Sequence, residues 1–153
     1  MTPQNRIGWL SDLIRVEIAL WDRIDARLRQ EHNLSLAFFE TLYFIDGSPD
    51  DSLRVGDLAR AVGITVGATS KLVDRVEAAG LIRREPDAED RRASRVALTD
   101  QGRQSLAAAS ASYTAELAAA LDPALSVDEQ QQMHSFVKRL LSTVNAVNNG
   151  GVV

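Results

Sequence analysis

Apolar residues recur every three or four positions at both ends of the chain, a spacing typical of amphipathic helices. The first stripe, over residues 7–30, consists of Ile7, Leu10, Ile14, Trp21, Ile24 and Leu28. Near the other end, Thr99 is placed to cap a helix over 100–121, and Ser126 with Glu129 forms a capping box before a last helix. These stripes are longer than a small domain needs, so we expect a second copy of the chain to cover them.

The middle of the chain predicts two short helices joined by a tight turn. The first of these helices is predicted from an apolar face that consists of Val55, Leu58, Ala59 and Val62. Gly63 is expected to end that helix, and Thr65 to cap a second one that Gly80 ends. The expected buried residues of the second helix are Val66, Leu72, Val73 and Val76. This spacing is typical of a helix-turn-helix.

A buried helix over 35–45 precedes this unit, and a β-hairpin follows it. The polar segment 46–52 predicts a loop between the two helical regions. After the second short helix, 81–85 and 91–98 predict two strands around a charged turn. The fold class expected is therefore mainly α with a small β-wing, a winged helix-turn-helix with N- and C-terminal dimerisation helices.

The composition is that of an ordinary globular protein, with apolar residues at 45% of the 153 positions and no cysteine. Without cysteine, the chain cannot form disulfides, thiolate zinc sites or cysteine-based redox sensors. It has no signal-peptide pattern and no apolar run of about 18 residues, so we expect a cytoplasmic protein without a membrane span.

Enzyme motifs are missing from the sequence. Gly63 and Gly67 stand four apart but lack the lysine–serine pair of a phosphate-binding loop. The two histidines, His32 and His134, are far apart in the sequence, so we expect no metal site and no cofactor. With no nucleophile–base set either, we expect a protein that is not an enzyme.

The charge is unevenly distributed. The whole chain has a net charge of −4, which taken alone argues against a nucleic-acid-binding protein. Residues 53–103, however, contain ten basic and eight acidic side chains, a net charge of +2, so the remainder of the chain carries −6. The predicted helix-turn-helix and wing are thus the basic part of an acidic protein.

The stretch from Leu53 to Arg103 closely resembles transcription factors of the MarR (multiple antibiotic resistance regulator) family. The segments that carry this resemblance are 55–59, 70–84, Asp90-Arg91-Arg92 and 96–103. The resemblance implies a homodimer that binds pseudo-palindromic double-stranded DNA, usually as a repressor. In many members of the family, binding of a small aromatic or phenolic ligand releases the protein from DNA. We accordingly expect one chain, 1–153, with DNA binding in 53–103 and dimerisation helices in 1–31 and 104–147.

The second short helix is the expected recognition helix, which enters the major groove by its N-terminal end. Its small side chains allow close approach to base edges, and its polar and basic ones can bind bases or phosphates. The candidate contacts on its exposed face are Thr65, Gly67, Ala68, Thr69, Ser70, Lys71 and Arg75. A solvated helix face is the alternative interpretation of the same pattern.

The wing supplies the other expected DNA contacts. A guanidinium at a wing tip fits a narrow minor groove, so Arg92 is the main candidate. Asp90, two residues earlier, is expected on the same side of the strand and, by resemblance, orients Arg92. Arg91 would point the other way, toward phosphate or the partner copy, and Arg84 at the wing base is a candidate phosphate contact. The alternative is a surface ion pair of little consequence.

Aromatic residues gather where the first two helices are expected to meet the winged part. By resemblance this junction admits small ligands, and we expect an aromatic acid such as salicylate to bind there and lower affinity for DNA. The candidate ligand-binding residues are Trp21, His32, Phe38, Phe39 and Tyr43. The alternative for each of them is an ordinary place in the core.

One other functional class stays open, a winged-helix module that contacts proteins and does not bind specific DNA. Such a module should carry apolar residues on the exposed face of residues 67–75, where this chain has small and basic ones. The sequence also does not distinguish repression from activation.

Overall fold

A computed structural model describes residues 2–90 and 93–149, with side chains up to Asn145. The chain divides into two compact units, Met1–Glu116 and Leu117–Val153. The elements along the chain are α1 (Pro3–His32), α2 (Leu36–Asp46), β1 (Ser52–Arg54), α3 (Val55–Val62), α4 (Val66–Ala78), β2 (Ile82–Pro86), β3 (Ser94–Leu98), α5 (Asp100–Leu121) and α6 (Val127–Asn149). This mainly helical architecture with a small antiparallel sheet confirms the predicted fold class.

Short polar side chains begin the helices, as the sequence predicts. The Thr65 hydroxyl accepts a hydrogen bond from the Ala68 amide at 3.2 Å at the start of α4. In the second unit, the capping box that opens α6 is complete, because the Glu129 carboxylate accepts from the Ser126 amide at 2.8 Å while the Ser126 hydroxyl accepts from the Glu129 amide at 3.4 Å. These caps satisfy amides that a helix leaves without partners in its first turn.

Two glycines in the left-handed region end the helices of the helix-turn-helix. Gly63 has φ +77° after α3, and Gly80 has φ +76° after α4. Glycine adopts this conformation without the clash that a Cβ would cause, so the chain can turn sharply at both places. The two sequence predictions about these glycines are confirmed.

The sheet has three strands in the order β1–β3–β2, whereas the sequence predicted a two-stranded hairpin. The missed strand, β1, follows a segment predicted to be a loop and has only three residues, too few for a recognisable alternation. It forms because it pairs antiparallel with β3, placing Ser52 opposite Ala97 and Leu53 opposite Val96. A strand that depends on a partner distant in sequence gives little local signal.

The core of the first unit lies where α2, α3, α4 and the sheet meet. Its fully buried side chains include Leu28, Leu42, Ile45, Leu58, Val73, Val76, Val96 and Leu98. Because such residues are closely packed, truncating one of the leucines to alanine typically costs about 2–5 kcal/mol of stability. This packing fixes one face of α4 and leaves the opposite face for other contacts.

A tight junction joins the end of α4, β2 and the start of α5. The Thr99 hydroxyl donates to the Gly80 carbonyl at 2.6 Å and accepts from the Gly102 amide at 3.0 Å. Gly102 lies so close to β2 that a Cβ added to it would stand 2.0 Å from the Leu81 carbonyl oxygen. Only a residue without a side chain fits here, so Gly102 sets the distance between α5 and the wing.

Polar contacts hold the C-terminal half of α1 to α5. The Glu116 carboxylate accepts from Arg23 Nε at 2.8 Å and from Arg27 Nη1 at 3.3 Å. One turn earlier on α5, the Ser112 hydroxyl donates to Glu31 and lies 2.8 Å from His32 Nε2. The N-terminal half of α1 has no such attachment among the described residues, and its apolar side chains are exposed.

Two helices expose apolar stripes in the isolated chain. On α1 the exposed members include Ile7, Leu10, Leu13, Ile14 and Ile18, and Ile7 keeps 74% of its accessible surface. On α6, in the second unit, they include Met133, Phe136, Val137, Leu140, Leu141 and Val144. Exposed apolar patches of this extent are typical of surfaces that bind another molecule. Among the described residues, no helix is both long and apolar enough to cross a membrane.

Candidate nucleic-acid interface

Helix α4 presents a face of small, polar and basic side chains outside the core. The exposed members of this face are Thr65, Gly67, Ala68, Lys71, Asp74 and Arg75, with the apolar Val66 exposed beside them, and Ser70 is half-buried. A Cβ placed on Gly67 would meet nothing within 4 Å, so the first turn of the helix is open to an approaching molecule. A surface of this kind can lie close to the base edges of a DNA groove.

Two sequence predictions about α4 are wrong. Thr69, predicted to be exposed, is fully buried, and its hydroxyl donates to the Thr65 carbonyl at 2.9 Å. It lies three, four and seven residues before Leu72, Val73 and Val76, and so belongs to the buried stripe. Val66, predicted to be buried, is 57% exposed because no other element covers the first turn of α4. Thr69 therefore supports the helix from inside and does not offer its hydroxyl to a ligand.

Lys71 and Arg75 are exposed cations one turn apart on α4. Neither side chain forms an ion pair or a hydrogen bond with any residue in the ranges 2–90 and 93–149. Both side chains are therefore available to an anion. Phosphate groups of a nucleic acid are the natural partners for such an arrangement, and a guanidinium can also bind guanine through two hydrogen bonds.

Arg84 joins the wing to α4. Its Nε donates to Glu77 Oε2 at 3.1 Å, its amide donates to Glu77 Oε1 at 3.1 Å, and Nη2 donates to Asp74. This predicted phosphate contact thus has protein partners in the isolated chain. It also neutralises two carboxylates on the helix that carries Lys71 and Arg75, which favours the approach of an anion.

Asp87 anchors the start of the turn between β2 and β3. Its carboxylate is 4% exposed and accepts from Arg54 through two hydrogen bonds, Nε to Oδ2 at 2.7 Å and Nη2 to Oδ1 at 3.0 Å. The amides of Glu89 and Asp90 donate to its Oδ1 at 2.9 and 3.0 Å. The Arg54 guanidinium, together with these amides, holds the pKa of Asp87 well below its usual range.

Arg95 completes the anchor from the neighbouring strand. It lies opposite Arg54 in the β1–β3 register, and its Nη1 is 3.7 Å from Asp87 Oδ2. Its other nitrogens donate to Ser52, from Nε to the hydroxyl at 2.8 Å and from Nη2 to the carbonyl at 2.7 Å. All three strands are therefore tied at the point where the wing leaves the core, which fixes the direction of the hairpin.

The predicted wing-tip residues are described only in part. Arg91 and Arg92 lie outside the described residues, and their predicted roles stay predictions. Asp90 is exposed and lies in the turn before β3, which begins at Ser94. Its carbonyl accepts from the Ala93 amide at 3.0 Å. The strand alternation used to place Asp90 beside Arg92 therefore does not apply, since Asp90 belongs to a turn.

Two of the five predicted ligand residues line one cavity, and the other three lie elsewhere. Phe39 and Tyr43 line a cavity of about 460 Å³ between α2 and α5, called here the α2–α5 cavity, whose other lining residues are Glu40, Phe44, Ser110, Tyr113 and Thr114. His32 instead contacts Ser112, while Trp21 is partly exposed on α1 and Phe38 is half-buried on α2. The structure brings together two of the five candidates and adds three aromatic or acidic residues that sequence reasoning did not select.

A sequence model of the MarR family matches residues 32–93, from the end of α1 into the wing. The matched segment contains the exposed face of α4, the Arg84 contacts and the Arg54–Asp87 pair. This part of the chain is therefore similar to the MarR family.

Solved structures share the fold of this chain over most of its length. Sco3205, a MarR-family transcriptional regulator from Streptomyces coelicolor solved in complex with DNA, superposes with a TM-score of 0.81 at 24% identity over 94% of this chain and 89% of that one. MepR from S. aureus, solved as a DNA complex, gives 0.73 at 26% identity over 89% and 96%. A mutant of MarR from E. coli, complexed with operator DNA, gives 0.77 at 22% identity over 92% and 99%.

The family whose model matches residues 32–93 includes transcriptional regulators such as Sco3205. Among the described residues, no group of three or more His, Cys, Asp or Glu side chains could hold a metal ion.

Sequence reasoning missed the Asp87 anchor, although part of its signal was present. Pro86-Asp87 opens the turn of the hairpin, and an aspartate at that position often accepts from amides two or three residues later. Its pairing with Arg54 and Arg95 has no such local signal, because those contacts cross 33 and 8 residues of chain. They follow only from the three-stranded sheet.

Proposed function

We propose that this chain is a sequence-specific DNA-binding transcriptional regulator that acts as a homodimer on a pseudo-palindromic operator. In this proposal it is a repressor, and a small aromatic ligand releases it from the operator. The observation that carries the proposal is the exposed face of α4, with two unpaired cations beside small side chains. The match of residues 32–93 to the MarR-family model supports the same function, as do the similar folds of Sco3205, MepR and MarR, whose structures contain DNA.

In the proposed complex, α4 lies in the major groove with its N-terminal turn toward the bases. Gly67 and Ala68 permit close approach, and the exposed Val66 and Ala68 side chains can touch thymine methyl groups. Ser70 can donate to or accept from a base edge, and Lys71 and Arg75 bind phosphate or guanine. Thr65 also lies at this end, with its hydroxyl close to the Ala68 amide.

The wing binds the adjacent minor groove in this proposal. The Asp87 anchor fixes where the hairpin leaves the sheet, and Arg91 and Arg92 follow Asp87 by four and five residues in the sequence. A guanidinium in a narrow minor groove is attracted by focused negative potential. Asp90 is proposed to orient Arg92, and Arg84 to exchange one of its helix carboxylates for phosphate when DNA is bound.

The homodimer follows from the exposed apolar stripes. We assign dimerisation to 1–31 and 104–147 and DNA binding to 53–103. An interface formed by the same surfaces of two copies has twofold symmetry, and a twofold protein reads an inverted repeat. Two α4 helices would then enter successive major grooves on one side of the duplex, about 34 Å apart.

The position of the α2–α5 cavity supports release by a ligand. Helix α2 lines the cavity and also packs against α3 and α4. A ligand that binds better to the arrangement of α2 in the free dimer than to that in the DNA complex must lower DNA affinity by the same factor.

Selection of binding sites from random duplex DNA, at a stated salt concentration, tests the function. The proposal predicts enrichment of an inverted repeat with half-sites about one helical turn apart. The same selection carried out with the Lys71→Ala, Arg75→Ala double variant is the control, and it should not enrich the inverted repeat. Selection that enriches no sequence with the wild-type dimer would contradict DNA reading and favour a protein-binding winged helix.

A further inference from the structure

The α2–α5 cavity is lined by four aromatic rings. Phe39 and Tyr113 stack with their ring centroids 4.9 Å apart and an angle of 13° between planes. Tyr43 and Phe44 meet edge to face at 5.6 Å and 70°. The volume of about 460 Å³ lies within the range of small-molecule sites, and such walls suit a flat or partly aromatic guest.

The ionisable groups at this cavity have one sign. Glu40 is the acid among the seven lining residues, and none of the seven is Lys, Arg or His. In the part of the chain that the structure describes, no cation pairs with the half-buried Glu40 carboxylate. Burial raises the pKa of Glu40, and Glu17 on α1 raises it further. A carboxylate that lies among aromatic rings and has no counterion favours the binding of a positive charge beside it.

The aliphatic hydroxyl groups on the α5 side of the cavity, those of Ser110 and Thr114, already use their protons. Ser110 donates to the Leu106 carbonyl at 2.7 Å, and Thr114 donates to the Ser110 carbonyl at 2.9 Å. Their oxygens keep free lone pairs, so toward the cavity both groups act as acceptors. Together with the Glu40 carboxylate, they favour a ligand that donates hydrogen bonds.

We propose that the α2–α5 cavity binds an organic ammonium ion that carries an aromatic group, with the ammonium beside Glu40 and against the faces of Tyr43, Phe44 or Tyr113. Aromatic faces attract cations, and a desolvated ammonium between rings and a carboxylate gains from both interactions. An aromatic carboxylate such as salicylate, the ligand expected from the sequence, would meet Glu40 with a like charge. This inference rests on the proposed function only in treating the cavity as the ligand site of a regulator.

Calorimetry on the full chain without DNA tests the inference, using three probes of nearly equal size: 2-phenylethylamine, 2-phenylethanol and 3-phenylpropionate. At neutral pH they are a cation, a neutral molecule and an anion. We expect the amine to bind at least about tenfold more tightly than the alcohol, the scale of one hydrogen bond to a charged group, and the acid to give no binding heat. Equal affinity for the three probes, tighter binding of the acid, or no heat from any probe at millimolar concentration would overturn the proposal.

Two variants test whether the Glu40 carboxylate is the group that binds the ammonium. Glu40→Gln should lower the affinity for the amine about tenfold and leave that for the alcohol unchanged, whereas Asp46→Asn, at an exposed carboxylate on the same helix but outside the cavity, should change neither. If Glu40→Gln does not fold, Tyr43→Leu at the exposed rim replaces it and should reduce amine binding more than alcohol binding. Amine binding that survives these substitutions would contradict the assignment.

A separate titration distinguishes this inference from the proposed function. Anisotropy with the selected duplex reports DNA binding independently of the calorimetry. Amine binding without any DNA binding would uphold the ammonium site and contradict the regulator. DNA binding without amine binding would uphold the regulator and overturn the ammonium site.

Discussion

At the scale of single residues, the cations of α4 differ from most charged groups in the described chain because they have no protein partner. Arg54, Arg84 and Arg95 are each held by carboxylates, and their charges are balanced within the protein. Lys71 and Arg75 are not balanced in this way, so an external anion can bind them without first breaking an ion pair. This difference separates residues that support the interface from residues that form it.

Replacing Arg75 by alanine should weaken DNA binding. If Arg75 binds guanine, the loss is about 1–3 kcal/mol and confined to one position of the site, whereas a phosphate contact weakens binding to all sequences and lowers the salt dependence by about one ion. Anisotropy titrations at several salt concentrations distinguish the two. Lys138→Ala, at an exposed cation on α6, is the control and should bind DNA like the wild type. Unchanged affinity for Arg75→Ala would remove it from the interface.

Asp87→Asn should loosen the wing and lower DNA affinity, although Asp87 is buried and touches no DNA in the proposed complex. The amide lacks the charge that holds Arg54 and Arg95, so the hairpin should exchange its β2–β3 amide hydrogens faster. Glu89→Gln is the matched control, because Glu89 contacts the same Arg54 but is exposed. If both variants behave alike in hydrogen exchange and DNA titration, the anchor has no special role.

The pH dependence of stability provides a second measure of the Asp87 anchor. The pKa of Asp87 is lower in the folded chain than in the unfolded one, so its contribution to stability is complete above the usual aspartate range and is lost as pH falls below about 4. The difference in unfolding free energy between the wild type and Asp87→Asn should therefore be largest near neutral pH and shrink on acidification. A difference that stays constant down to pH 3 would contradict the low pKa.

At the scale of elements, the helices could be predicted from the sequence because their signals are local. Thr65, Gly63, Gly80 and the Ser126–Glu129 box each act within a turn of chain, and each lies where the sequence predicts. The short strand β1 and the Arg54–Asp87–Arg95 cluster depend on pairing across the sheet and could not be predicted in that way. Thr69 was misplaced because a polar residue in a helix can be buried when its hydroxyl donates to the preceding turn.

Gly102→Ala tests the junction between α5 and the wing. The new methyl group would overlap the Leu81 carbonyl, so we expect a loss of about 1–3 kcal/mol in the free energy of unfolding. Gly56→Ala on α3 is the control: a Cβ there meets nothing within 4 Å, and alanine favours a helix by up to about 1 kcal/mol. Denaturant unfolding measures both. Equal stability of the two variants would mean that α5 can move away from β2 without cost.

At the scale of the whole molecule, exposed apolar surface and an acidic overall charge both bear on how the protein works. A net charge of −4 repels DNA at long range, so in the proposed complex specific contacts and the doubled interface of a dimer would have to supply the affinity. The stripes on α1 and α6 are the parts of the chain that the expected second copy would bury.

A charge introduced into the α1 stripe should separate the dimer. Ile14→Glu would bury an unpaired carboxylate in the proposed interface, and sedimentation should show monomers at micromolar concentration where the wild type is dimeric. Gln30→Glu adds the same charge at an exposed position of α1 and serves as the control. Dimers that persist in Ile14→Glu would place the interface elsewhere.

The most direct test of the central claim, that α4 reads the major groove, uses the absence of native cysteine. Ala68→Cys creates a single thiol on the exposed first turn of α4, to which an iron–EDTA cleavage reagent can be attached. With the selected duplex, the account predicts strand cleavage centred within each half-site, and none from the same reagent on Ala26→Cys in α1. Full binding with no cleavage in the half-sites from the α4 position would contradict the account.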